Sequence, residues 1–114
     1  MKPGLAFEPW GNYSIALAAS VECLRVTPWT STCTTPEILR LGIEASPEFS
    51  CLAFKASTGH FLKAAQEGVR YGVMVNSCGT CRLRYYRMLQ QQILGERGLE
   101  LHIFGLGYDG IKPP

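Results

Sequence analysis

The sequence predicts an α/β domain with a mostly parallel sheet of about four strands. Three observations carry this reading. Short apolar runs alternate along the chain with longer stretches of helical character. The run from Tyr71 to Asn76, bounded by Gly68 and Ser77, is apolar almost throughout, as expected of a strand covered on both faces. Just beyond it, from Cys81, the apolar period becomes helical, and a strand leading directly into a helix is the unit from which parallel sheets are wound.

The elements follow in order. Leu5 to Phe7 is a short apolar run that gives way to a Pro- and Gly-containing loop, "EPWGN". Tyr13 to Leu24 is rich in alanine and apolar residues and reads as a buried helix. Arg25 to Trp29 is a second short strand, cut by Pro28. Thr35 as cap, Pro36 at the first helical position and Glu37 in the first turn start a helix that Gly42 is expected to stop early. The segment "EASPEFSCLAFKASTGHF" reads as irregular, with a turn at Ser46 and Pro47 and helix resuming only near Phe61 until Gly68. After the strand at Tyr71, a helix carries the stripe Leu83, Tyr86, Leu89 or Gln90, and Ile93, with Arg84, Arg87 and Gln91 opposite. Gly95 and Gly98 bracket its end, Leu99 to Leu106 is the last strand, and "GYDGIKPP" is a tail.

The 114 residues suit one domain spanning 1–114. A composition of 46% hydrophobic and 18% charged residues argues against disorder, and a net charge of +2 does not suggest nucleic acid. No apolar run approaches membrane-spanning length, and the N-terminus lacks the apolar core of a signal peptide, so a cytoplasmic location is expected. An exposed sheet edge on so small a domain would invite pairing, which makes a homodimer the expected assembly.

Cys23, Cys33, Cys51, Cys78 and Cys81 are many thiols for such a chain, and an odd number argues against a full disulfide framework. Cys78 and Cys81, in "CGTC", stand where a strand ends and a helix begins. Sites in open parallel sheets form there, and a helix N-terminus favours thiolates. Three chemistries fit. A dithiol oxidoreductase of the thioredoxin type would need much of its sheet and a cis-proline loop after the motif. Only 33 residues follow Cys81, and their prolines are Pro113 and Pro114. A structural zinc could draw on Cys51, His60, Cys78 and Cys81. An iron–sulfur cluster would need three converging thiolates, with its remaining iron taking a substrate, water or Cys33. Against these stands plain burial as small hydrophobes, the reading favoured for Cys23 and Cys33.

Several short motifs resemble those of the 2-hydroxyacyl-CoA dehydratase subunits, and most closely the acyl-CoA dehydratase activase-related branch. They are Ser46-Pro47-Glu48-Phe49, Cys51, Phe54-Lys55, Gly59, Gly68, Cys78-Gly79, Cys81-Arg82 and Tyr85-Tyr86. "FEPWGNY" and the T-x-x-I-L-x-L-G of Thr35 to Gly42 fit more loosely. The resemblance implies a Rossmann-like three-layer domain and a [4Fe–4S] cluster held by three cysteines, here Cys51, Cys78 and Cys81. It implies partners too: an activase ATPase that injects an electron, further dehydratase subunits, and an acyl-CoA substrate. Family members are longer, so this chain would be a fragment or truncated relative acting with other subunits in anaerobic electron transfer or dehydration. Ala53 stands where the family usually has proline, and Cys33 is an additional thiol.

Arg82, beside Cys81, is the cation best placed for an anionic cofactor or substrate group, with Lys55 a second candidate. Arg84 and Arg87 read more readily as a solvated helix face, and Glu44 and Glu48 as ordinary surface carboxylates.

Overall fold

Four short apolar segments pair as a fully parallel sheet. The computed structural model describes residues 4–9, 11–30, 33–75 and 85–106. The strands are β1 (Leu5–Phe7), β2 (Pro28–Thr30), β3 (Tyr71–Val75) and β4 (His102–Leu106), in the spatial order β2-β1-β3-β4. Helices α1 (Asn12–Cys23), α2 (Pro36–Ala45), α3 (Leu52–Gln66) and α4 (Tyr86–Glu96) fill the crossovers. The step from β1 to β2 runs one way across the sheet, and the steps to β3 and β4 run the other. Right-handed crossovers therefore put α1 on one face and the remaining helices on the opposite face, a Rossmann-like three-layer arrangement.

The second strand begins at Pro28 instead of being cut by it. A proline lacks the N–H that a ladder needs, so the first position of an edge strand suits it. Arg25, with φ at 62°, belongs to the turn that leaves α1.

Two expectations about α2 and α3 fail for one reason. Thr35 caps α2 as expected, its Oγ1 accepting from the Ile38 N–H at 3.2 Å. Gly42, however, lies inside the helix, and α3 begins at Leu52 where an irregular segment was expected. The two helices cross at Gly42 and Gly59. A Cβ on Gly42 would sit 1.7 Å from the Lys55 carbonyl oxygen, and one on Gly59 2.0 Å from that of Ile38. These glycines let two backbones touch, so tertiary contact outweighs their weak helix propensity. A Lys63–Glu37 ion pair at 3.1 Å ties the same helices at the surface.

The core lies between the sheet and α3 and α4, with Phe54, Phe61, Leu62, Leu94 and Ile103 sealed inside. Gln90, not Leu89, takes the stripe's core position. Its Nε2 donates to Ser57 Oγ at 3.0 Å and Thr58 Oγ1 at 3.3 Å, while Leu89 is partly exposed. Arg87 reaches back to the Ile103 carbonyl instead of standing free in solvent.

The other face is different. α1 was expected to be buried, yet Val21 is its one buried residue, and Tyr13 and Ile15 face solvent. β3 was expected to be covered on both sides. Gly72 and Met74 are buried on the face of α3 and α4, but on the other face Tyr71 is 50% exposed and stacks on Phe104, itself 47% exposed. Among the described residues no helix is long and apolar enough to cross a membrane.

Candidate functional site

The site grows from the direction in which α3 crosses the sheet. Ser57 touches Met74, and one turn later Phe61 lies against Gly72, so α3 runs antiparallel to β3. Cys51 precedes Ser57 by six residues, about 9 Å of helix rise. That carries its backbone past Met74 to the carboxyl end of β3, beside the crevice at the β1/β3 switch point where open sheets bind ligands.

Cys51 caps α3 with extended backbone, φ −72° and ψ 160°. Cysteine is not a preferred cap residue, but the position sets its sulfur among the unpaired N–H groups of the first turn. The Tyr86 hydroxyl and Cys51 Sγ share a hydrogen bond. That hydrogen bond holds the thiol below its ordinary pKa. Partial desolvation pushes the other way, and the backbone N–H groups of Phe54 and Ala53 add to the lowering. The thiol is exposed. It is therefore an accessible sulfur biased toward thiolate, able to ligate a soft metal or act as a nucleophile.

Beside it opens a cavity of about 410 Å³. Phe49, Phe54, Tyr86 and Leu89 supply most of its apolar wall, with Ser50 and Cys51 among its polar points. Phe54 and Tyr86 meet edge to face, ring centroids 4.8 Å apart, which fixes the inner wall. Phe49, 86% exposed, and Tyr85 stand at the rim.

Of the expected site residues, Cys78, Cys81 and Arg82 lie outside the described residues, as do Leu83 and Arg84 of the expected helix. Lys55 does not line the cavity, and its Nζ donates to the Glu48 carbonyl at 3.2 Å. Glu44 and Glu48 are exposed, as surface carboxylates should be. Among the described residues no three His, Cys, Asp or Glu groups gather as a metal site. The zinc set that included His60 fails on geometry. His60 follows Cys51 by nine residues in the same helix, roughly 13 Å along its axis, too far for one ion. It is buried, and its Nε2 pairs with Thr34 Oγ1 at 2.9 Å. Cys23 and Cys33, expected to be buried, are exposed.

The Tyr86 hydroxyl is the functional group that the sequence did not disclose. The helical stripe marks its ring as core, and at 7% exposure it is. Nothing in a pairing over 35 residues signals that its oxygen meets a sulfur. No protein-family model matches this chain, nor does any curated protein or solved structure.

Proposed function

We propose that this chain is an iron–sulfur module in which Cys51, Cys78 and Cys81 hold one [4Fe–4S] cluster. It would serve electron transfer or acyl-CoA dehydration together with an activase-type ATPase or other dehydratase subunits. The observation that carries the reading is the Cys51–Tyr86 contact. Tyr86 follows Cys81 by five residues, so the isolated cysteine of α3 is joined by a hydrogen bond to the start of the helix that the CxxC segment leads into. Cys51 also has the chemistry a cluster ligand requires: an exposed sulfur biased toward thiolate, at the carboxyl end of the sheet. A cluster bound there would supply one-electron chemistry and an open iron for a substrate oxygen. The chain's own residues would supply the rest. The wall of Phe49, Phe54 and Leu89 suits the hydrocarbon part of an acyl group and keeps water from it. Arg82 is the cation we assign to the anionic part, since Lys55 is already engaged with a backbone carbonyl.

The test is iron, zinc and acid-labile sulfide analysis of protein made and purified without oxygen, for the native chain and for Cys51→Ser and Cys78→Ser. We expect about four iron and four sulfide per chain, the content of one [4Fe–4S] cluster, lost in both variants. Stoichiometric zinc would make the same thiols a structural site. A metal-free chain with reactive thiols would overturn the proposal.

A further inference from the structure

The half of the sheet that α1 does not reach carries a cluster of rings on its open side. Register sets Tyr71 beside His102 and Val73 beside Phe104. Gly72, between Tyr71 and Val73, faces Phe61 of α3, so its two neighbours point the opposite way. Phe104 links the rings. It stacks on Tyr71 with centroids 5.9 Å apart and meets His102 edge to face at 4.6 Å. Tyr71 and Phe104 leave about half of their surface in water, roughly 100 Å² each. Rings held by one another have little rotamer freedom left to lose on contact. At the amino end of the same strands, Arg70 and Glu100 stand 3.7 Å apart, both largely exposed. Such a pair contributes little within one chain. The rim thus holds one cation and one anion side by side, not the one-signed field that draws a nucleic acid or a strongly charged protein.

We infer that this face docks a second copy of the chain, ring cluster against ring cluster. Symmetry selects the occupant. A twofold axis running along the strands, between β3 and β4, lays β3 of one protomer over β4 of its partner. Tyr71 then lies opposite the partner's His102, and Val73 opposite the partner's Phe104. The same rotation sets Arg70 over the partner's Glu100 and Glu100 over the partner's Arg70. An ion pair that does little in one chain is thereby answered twice across the contact, where charge complementarity fixes register. Two sheets packed this way run within about 30° of each other and about 10 Å apart, as in a sandwich. α1 rests on β2, on the same side as the incoming sheet, and so stands beside the partner's β4 and frames it. The contact is small. Its two half-exposed rings supply about 200 Å² per protomer, where a standard interface buries about 800 Å². The dimer is therefore a reversible one, with a dissociation constant of about 10–100 µM.

Sedimentation equilibrium of the full chain tests this over about 5 to 500 µM, a span that brackets such a constant. A thiol reductant keeps the exposed Cys23 and Cys33 from linking copies covalently. We expect a single monomer–dimer equilibrium. Phe104→Lys puts a cation into the centre of the contact and should weaken association by about tenfold or more. Arg70→Glu and Glu100→Arg each set like charges opposite one another and should weaken it by about three- to tenfold, while the double variant should return to within about twofold of the native chain. If Phe104→Lys does not fold by circular dichroism, the charge series decides, since both of its positions are exposed. A chain that stays monomeric at the highest concentration would overturn the inference. So would a dimer that a folded Phe104→Lys leaves intact, which would place the contact on another surface, or a double reversal that does not restore what the single ones lose. Growth beyond the dimer would also overturn it, because a twofold contact closes. None of these residues is a proposed cluster ligand, so the outcome stands whether or not the chain loads iron, and the two proposals fail separately.

Discussion

On one face of the sheet, Met74 and Ile103 share a sealed cluster with Phe61, Leu62 and Leu94. On the other, Tyr71 and Phe104 stack with about half of their surface in water, and α1 turns Tyr13 and Ile15 outward. The strands themselves do not differ, since each contributes alternate residues to both sides. What differs is the cover. Two helices that cross at glycines, plus α4, bring backbone close enough to bury whole side chains on the first face. A single helix lying against β2 cannot reach β3 or β4 on the second. Apolar composition therefore supplies only the opportunity for burial, and a close helix crossing is needed to realise it.

The contrast can be broken most sharply by truncation. Phe61→Ala should cost about 3–5 kcal/mol in chemical denaturation, as cavities in packed cores do. Tyr13→Ala should cost within about 0.5 kcal/mol. Equal losses would show that the second face is packed after all. Next comes the crossing. Gly59→Ala must displace the Ile38 carbonyl and should cost about 1–3 kcal/mol or more. Gly95→Ala, in α4 with nothing within 4 Å, should be neutral or stabilise by up to about 1 kcal/mol.

His60 provides a pH handle on the packed face. Burial lowers its pKa, so the folded state holds it neutral while the unfolded chain binds a proton below about pH 6.5. Its contribution is complete above that value and is lost as pH falls, at up to about 1.4 kcal/mol per pH unit, until the lowered folded pKa is reached. Denaturation midpoints measured from pH 7.5 to 5 should show this slope, and His60→Gln should flatten it. The smallest effect is expected on the open face, where Phe104→Thr should change stability by about 0.5 kcal/mol or less.

Much of the first face was legible. The Tyr71 run announces β3, and Thr35-Pro36-Glu37 announces the start of α2. α3 was not legible over Leu52 to His60. Ser57, Thr58 and Gly59 are poor helix formers, and what holds them helical, Gln90 and the α2 backbone, is distant in sequence. The bareness of α1 was equally hidden, because an alanine-rich apolar stretch looks the same whether or not a neighbour covers it. Of the candidate site, the type and spacing of the cysteines could be read. The tyrosine that tunes Cys51 and the cavity beside it could not, since both depend on how α3 and α4 lie together.

Gln91 has a consequence for how this sheet can grow. The His102 N–H bonds inward to Arg70, so Leu101 and Ile103 turn their peptide groups outward along β4. The Gln91 amide answers both, donating to the Leu101 carbonyl at 2.8 Å and accepting from the Ile103 N–H at 2.8 Å. A side-chain amide has a peptide's own donor and acceptor, so one glutamine stands in for a fifth strand. An incoming strand at this border would have to evict it. At Leu101 and Ile103, then, the β4 border has no free peptide groups to offer a neighbouring strand.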